Sequence, residues 1–580
     1  MRRIVPILFP FLLLWGSGCG GPELTDTRTP FFEDRAQATG LGFVHFNGMS
    51  GELYIPEVTG TGVGMLDYDN DGDLDLYLVQ GRMLGPGKTP EDVLVPWIGE
   101  GPLIDRLYRN DLTVAPDGTR TLRFTDVTVA SGLVSDGYGM GVITGDYDND
   151  GWIDLYVTNL EGNRLFRNRG DGTFENTTEK AGVDDPRWSV PAVFFDYDRD
   201  GWLDLFVGNY LDFTYDNHKT CLTVTGARDY CGPSAYRGEP DRLFHNQGDG
   251  TFRDVTRESG LHTAYGPALG AVSADLNGDG RPDLYVANDG RPNQMWIQRD
   301  DGTFEDASLM GGSAVNAEGF PEASMGIDAA DFDGDGDVDL FMAHIAGETN
   351  TLYRNDGSGL FEDVSIHSGL GPASKWATGF GAGSLDYDND GWLDVLTVNG
   401  AVRTIEEQAR QQIPYPLRQP NQLFRNLGQG RFEEVSELAG ESLAASEVSR
   451  GAAFGDVDND GDTDVLVLNS NGPTQLLINQ VGQDRAWIGL RLVTGDPLRD
   501  ALGARVGAFP AGRPPLWRRV RTDASFASAN DPRVLVGLDG TPEVDRIQVR
   551  WPGGRLEEWT GVPAGRYTTL REGDGRELRP

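Results

Sequence analysis

The chain has 580 residues, of which 38% are hydrophobic and 10% aromatic, and its 90 Asp and Glu against 49 Lys and Arg give a formal net charge of −41. That charge excludes binding to nucleic acid and to anionic membrane surfaces, which need basic surface. The aromatic and apolar content excludes wholesale disorder, so the acid is held in structure and something neutralises part of it.

The N-terminus comes first. Arg2 and Arg3 precede an apolar run over residues 4–15, then Gly16-Ser17-Gly18-Cys19. The run is too short for a membrane-spanning helix and predicts a signal peptide over residues 1–18. A cysteine directly after small residues resembles a bacterial lipobox, with Gly16 where Leu is usual. On that pattern Cys19 becomes the lipidated first residue; simple secretion is the alternative. No other segment is long and apolar enough to span a bilayer. With Cys19 lipidated, Cys221 and Cys231 remain as a pair. In an oxidising compartment they predict a disulfide; two free thiols are the alternative, and zinc lacks a second ligand pair nearby.

One element then recurs seven times. It reads LDYDNDGDLDLYLV at 66–79, GDYDNDGWIDLYVT at 145–158, FDYDRDGWLDLFVG at 195–208 and ADLNGDGRPDLYVA at 274–287. It returns as ADFDGDGDVDLFMA at 330–343, LDYDNDGWLDVLTV at 385–398 and GDVDNDGDTDVLVL at 455–468. A Leu-aromatic-x-Asn strand keeps step near Leu107, Leu165, Leu243, Leu352 and Leu423, with weaker versions at Met295 and Leu476. A third strand starts at Phe32, Phe124, Phe174, Phe252, Phe304, Phe361 and Phe432. The first of these precedes the first Asp loop, and the seventh repeat runs out without one. A linear solenoid would need caps; a closed ring completes its last blade with the N-terminal strand. The sequence therefore predicts an all-β fold, a seven-bladed propeller over 31–480.

The loop pattern is D-x-D/N-x-D-G-x-x-D. Carboxylates at positions 1, 3 and 5 converge when the chain turns tightly, and glycine at position 6 permits the turn. Position 7 offers its carbonyl, which lets its side chain vary among Asp73, Trp152, Trp202 and Arg281. The Asp at position 9 closes the shell. An all-oxygen, flexible shell favours Ca²⁺ over Mg²⁺; a metal-free Asx turn is the bland alternative. The candidate ligands are Asp67, Asp69, Asp71 and Asp75; Asp146, Asp148, Asp150 and Asp154; Asp196, Asp198, Asp200 and Asp204; Asp275, Asn277, Asp279 and Asp283; Asp331, Asp333, Asp335 and Asp339; Asp386, Asp388, Asp390 and Asp394; and Asp456, Asp458, Asp460 and Asp464. Seven Ca²⁺ would bring −41 to about −27 and act as staples of the fold.

These loops resemble FG-GAP/VCBS repeats, calcium-bearing blades also found in integrin α-chains. The layout resembles the bacterial cartilage-acidic-protein family, chiefly through the stretch from Gly42 (GFVHFNGMSGELYIPEVTG) and that from Tyr230 (YCGPSAYRGEPDRLFHNQGDGTF). After Gln480 the Asp loops stop. ALGARVGAF, SFASANDPRVLVGLDG and VDRIQVRWPGG resemble the ASPIC/UnbV domain over 484–575, and their alternation predicts a small β-sandwich. The resemblance implies an extracellular, calcium-binding role without a settled reaction.

Two functions remain open. One is a monomeric exported binding protein, a cell-envelope lipoprotein or a secreted one, taking a carbohydrate or protein ligand through its long insertions at 80–106, 211–241 and 401–421. The other is an enzyme at the propeller's channel, with His45 near Glu57 as base or transition-metal ligand. The ordinary reading of His45, and of His344, is a hydrogen-bonded structural histidine. No H-E-x-x-H, G-x-S-x-G or P-loop is present.

Overall fold

The computed structural model describes residues 29–223 and 226–578; the leader and Cys19 lie outside them. Seven four-stranded antiparallel sheets form the blades. The innermost strands, blade 1 to blade 7, are Val63–Leu66, Gly139–Gly145, Ser189–Phe195, Ala268–Ala274, Ile327–Ala330, Gly379–Leu385 and Ser449–Gly455. In each blade the Asp loop joins the first strand to the second, and the Leu-aromatic-x-Asn segment is the third. Blade 7 takes its outer strand, Phe32–Asp34, from the N-terminus: Phe32 pairs with Asn479 and Asp34 with Leu477. The ring closes as the register of the repeats predicts.

After the ring come two sheets of a sandwich. Ala486–Thr494 pairs with Arg499–Asp500 and Val534–Asp539 and, in parallel, with Tyr567–Arg571. The second sheet runs Leu516–Arg519, Arg505–Pro510, Val544–Arg550, Leu556–Trp559 and Arg576–Glu577. Leu490, Val506, Val536, Ile547 and Trp551 fill the space between them. Residues 484–580 hold 16 Arg and 13 Asp plus Glu, a net of +3, which leaves −44 on residues 1–483. The sandwich sits on the face that carries the Asp loops, so opposite charges meet: Arg491 lies 3.7 Å from Asp67, and Arg518 lies 3.8 Å from Asp386.

Between two strands of the sandwich, residues 520–533 enter the propeller's channel. This segment bonds six of the seven innermost strands. Ala529 exchanges bonds with Val63 and Met65, Ser525 exchanges two with Ile327, and the Val142 N–H donates to Ala527. Ser273, Ala382 and Phe454 donate to the side chains of Asp523, Ser525 and Asn530. A Cβ on Gly62 would lie 1.7 Å from the Ala527 carbonyl oxygen, so only glycine lets the plug approach. Ala524, Ser525 and Ala527 hold φ of 95°, 65° and 48°, strained for L-residues and sustained only by dense contacts.

The other mouth of the channel is closed too. Connections between second and third strands emerge opposite the Asp loops, and the three long insertions are of this kind. They converge on residues 44–60. Trp97 Nε1 donates to Val44 O, and Leu94 N donates to Met49 O. Tyr230 OH donates to Glu57, and Asn47 Nδ2 to Tyr415 OH. Cys221 and Cys231 form a disulfide inside the second insertion.

Phe526 is fully buried and meets Phe380 edge-on at 5.0 Å. Phe526→Ala is expected to cost about 3–5 kcal/mol, the usual range for a buried phenylalanine, read as a lower urea midpoint. An unchanged midpoint would show that the plug contributes nothing to stability.

Candidate metal centres

Each Asp loop is built by one hydrogen-bond pattern. The position-6 glycine has φ between 84° and 99° in all seven loops. Its N–H donates to the position-1 carboxylate at 2.8–3.2 Å. The position-7 N–H donates to the position-5 carboxylate. Position 4 is also left-handed throughout: Asn70, Asn149, Arg199, Gly278, Gly334, Asn389 and Asn459 have φ of 51–79°.

The position-9 carboxylates, Asp75, Asp154, Asp204, Asp283, Asp339, Asp394 and Asp464, are at most 1% exposed. One oxygen of each accepts the third-strand Asn or Gln backbone N–H; the other accepts the position-2 N–H, all at 2.7–3.1 Å. These residues therefore brace the blade as well as facing the loop's centre.

The remaining carboxylate atoms point at a common space. Groups such as Asp67, Asp69 and Asp71; Asp146, Asp148 and Asp154; Asp196, Asp198 and Asp204; and Asp331, Asp333 and Asp339 place ligand atoms within 4.8 Å of one another. In six loops one carboxylate oxygen is buried without a hydrogen bond: Oδ1 of Asp69, Asp148, Asp196, Asp275, Asp388 and Asp458. An orphaned buried acceptor is costly, and a cation at the centre would satisfy it. The residues fit a hard cation of the Ca²⁺ kind. Burial pushes Asp67 up to about 6, Asp146 to about 7 and Asp456 to about 7; neighbouring carboxylates add to the rise.

The loops differ in their cationic neighbours. Arg167 binds Asp148 and Asp150, and Arg425 binds Asp388 and Asp390. In blade 3 the same strand position is His245, with Nδ1 3.0 Å from Asp204. In blade 4 the Asn277 amide donates to Asp279 at 2.8 Å, and Arg281 holds the same carboxylate. The fourth loop thus has one carboxylate fewer and a cation of its own on Asp279, while Asp275 keeps its orphaned oxygen.

Two rings of contacts between blades were not read from the sequence. Side-chain amides of Asn110, Asn168, Asn246, Gln298, Asn355, Asn426 and Asn479 donate to the position-2 carbonyl of the preceding blade's loop at 2.6–2.8 Å. Position-4 side chains reach the next blade: Asn70 to Gly151, Asn149 to Gly201, Arg199 to Gly280, Asn389 to Gly461 and Asn459 to Gly72. The recurrence of Asn, six times at the third-strand position and four times at position 4, was the available signal.

His45 is fully buried. Its Nδ1 accepts the Asn471 N–H at 3.2 Å, and burial plus the Arg450 charge push its pKa down to about 3. It is therefore neutral, and its Nε2 has no hydrogen-bond partner. Glu57 accepts from Ser50 and Tyr230. His344 lies between Thr349 O at 2.9 Å and Ser324 Oγ at 3.1 Å.

Two family models match the chain. The FG-GAP-like repeat matches residues 146–207, 226–286, 275–342, 331–397 and 414–467, and the ASPIC and UnbV model matches 495–577. The human Cartilage acidic protein 1 is 30% identical over 173 residues, 28% of this chain and 24% of that protein. The Mus musculus protein of the same name is 30% identical over 171 residues, 28% of this chain and 25% of that protein. The match thus spans about a quarter of these relatives' length. Among solved structures, an Agrocybe aegerita lectin described as recognising non-reducing terminal N-acetylglucosamine is 17% identical. It covers 59% of this chain and 82% of its own, with a TM-score of 0.33. The exotype rhamnogalacturonan lyase YesX is 13% identical and covers 88% and 90%, with a TM-score of 0.29.

A carboxyl raised by burial favours the folded state while protonated, so its contribution is complete below about pH 4 and is lost as pH rises through its folded pKa. Asp67, Asp146 and Asp456 place that loss between about 4 and 7. Metal-free protein should therefore unfold at higher temperature at pH 5.5 than at pH 7.5. A calorimetric midpoint that falls on acidification over this range would contradict the burial account.

Proposed function

Because the chain belongs to the FG-GAP repeat proteins that end in an ASPIC and UnbV domain, we propose that it is an exported, calcium-loaded propeller acting as a binding protein. The observation that carries this reading is the convergence of three long insertions on one face of a rigid ring, while the sandwich occupies the other. Loops on a rigid scaffold are where recognition concentrates. Leu94, Ile98 and Leu222 in these insertions expose 58%, 74% and 62% of their surface, which leaves them available for contact with a protein or a carbohydrate face. The disulfide fits an oxidising compartment. Cys19 as a lipid anchor is part of the same proposal, and no helix among the described residues is long and apolar enough to cross a membrane. The relatives' name adds only that acidic proteins of this kind occur in cartilage.

Calcium is proposed for the Asp loops on the strength of their oxygen donors and orphaned acceptors. Asp69, Asp148, Asp388 and Asp458 would turn their free oxygens to it, and the ions would hold the loops that brace each blade. One Ca²⁺ at a hundredfold excess over its Kd adds about 2.7 kcal/mol. Elemental analysis should find about seven, and Asp148→Ala should remove one. A chelator series should empty the fourth loop first. Two or fewer tightly held ions, with no loss of thermal stability in chelator, would end the calcium proposal.

The binding proposal is tested with the face itself. Replacing the exposed side chains of Leu94, Ile98 and Leu222 by Ser should lower capture on panels of extracellular glycans and matrix proteins by at least tenfold, with calcium content and melting temperature unchanged. Undiminished capture would move the binding surface elsewhere.

A further inference from the structure

The seven blades allow one position to be compared seven times. It is the third-strand residue just before the Asn or Gln that crosses to the preceding blade. Arginine stands there as Arg109, Arg167, Arg354 and Arg425, and isoleucine as Ile297 and Ile478. Blade 3 alone has a histidine, His245, on the strand Arg242–Asn246. The position lies against the Asp loop of its own blade. Arg167 reaches Asp148 and Asp150, and Arg425 reaches Asp388 and Asp390, positions 3 and 5 in each case. An arginine there can only pair with the carboxylates, because its guanidinium offers donors and no lone pair. A histidine can also offer a ring nitrogen to a metal.

The structure turns that nitrogen to the loop. His245 Nδ1 lies 3.0 Å from Asp204 Oδ1 and 3.5 Å from Asp198 Oδ2. Ligand atoms of His245, Asp198 and Asp200 lie within 4.8 Å of one another, as do those of Asp196, Asp198 and Asp204. Asp198 belongs to both groups, so the imidazole and the carboxylates border one space. Asp196 Oδ1 is buried in the same loop without a hydrogen bond, and a cation would remove the cost of that orphaned acceptor. The His245 side chain is 19% exposed, so an ion can reach it from solvent.

We propose that the third loop is a site for a borderline divalent transition metal of the Zn²⁺ kind, with His245 Nδ1 as its nitrogen ligand beside Asp198, Asp200 and Asp204. The inference rests on reading the Asp loops as cation sites, and goes beyond that reading by naming the ion that one loop prefers. Carboxylates alone suit Ca²⁺, whereas imidazole nitrogen suits Zn²⁺ and its neighbours in the first transition row. The other six loops have no such donor at this position. Their arginines compete with an ion for the carboxylates, and their isoleucines offer it nothing. The competing role for His245 is that of those arginines, a cation paired with Asp204. In that role Nδ1 keeps its proton, and the third loop has no preference for Zn²⁺ over the others.

The test is equilibrium dialysis of the full chain, in millimolar Ca²⁺, against micromolar Zn²⁺ or Mn²⁺, with every metal counted by elemental analysis. One Zn²⁺ per chain is the expected result, bound at least tenfold more weakly in His245→Gln, which removes the ring nitrogen without adding charge. His245 is a partly exposed strand residue, so this variant should fold, and its unfolding curve verifies that. His245→Arg, which installs the residue of four other blades, should lose the zinc as well. Mn²⁺, which favours oxygen ligands, should bind at least tenfold more weakly than Zn²⁺. Folded chain that retains no Zn²⁺ would overturn the assignment. So would Mn²⁺ held as tightly as Zn²⁺, or a His245→Gln chain that holds Zn²⁺ as the parent does. The calcium count on the same sample separates the two readings. Absent zinc with calcium still held defeats this inference alone, and zinc bound without calcium defeats the calcium reading alone.

Discussion

The ring depends on a buried carboxylate that appears seven times. The position-9 Asp opens the second strand of every blade, almost wholly out of water, and accepts one N–H from the loop before it and one from the third strand. A charge in that position is expensive unless its oxygens are occupied. The two backbone donors occupy them and, in doing so, fix where the third strand lies. That strand then presents an Asn or Gln whose amide crosses to the preceding blade. Local capping and long-range closure are therefore one network. The Asn110 bond to Val457 O, between blade 1 and blade 7, completes it without relying on the outer N-terminal strand alone.

Much of this was legible in the chain. The period, the strand type and the ring closure follow from the count and register of the repeats, because a strand missing at one end and present at the other has one geometric use. The glycine at position 6 was legible as well, since only a left-handed turn brings positions 1, 3 and 5 together. The inter-blade amides were not, although Asn110 and its counterparts stood in the repeat. A periodic pattern reports what is constant within a unit, while the partner of Asn110 is 347 residues away. The plug was less legible still. SFASAN carries no apolar run beyond Phe526, and its segment is held by backbone and side-chain hydrogen bonds to strands of six blades, which leave no trace in composition.

The candidate residues divide along the same line. The Asp loops come together as groups of ligand atoms, because spacing within nine residues dictates local geometry. His45 and Glu57 stood out for their segment, and both are hydrogen-bonded there. They lie beneath the insertions as buried supports: His45 is neutral and tied to Asn471, and Glu57 is tied to Ser50 and Tyr230. A fully buried imidazole pushed down to about 3 carries no charge at neutral pH, so it supports the cap without adding charge to it. Arg450 supplies the nearby cation; its nitrogens are spent on the carbonyls of Val58, Gly400, Ala401 and Ser449, and its plane lies over Phe380 at 4.0 Å.

Charge partition links the two ends of the molecule. A ring whose residues 31–483 carry a net of −45 would repel itself at close range, and salt screens exposed charges far better than buried ones. The sandwich answers at short range, with Arg491 at Asp67, Arg518 at Asp386, and the Tyr567 hydroxyl on Asp456 at 3.0 Å. It docks on the face where the repulsion is greatest, and from there its loop enters the channel. The plug is thereby held from outside by charge and from inside by hydrogen bonds. The strain at Ala524, Ser525 and Ala527 is borne only while both hold. Loosening the loops at the rim would therefore weaken the plug at the centre, although no Asp loop of the set touches Phe526. The insertion face, which rests on the cap over that same channel, would lose its rigid base in turn.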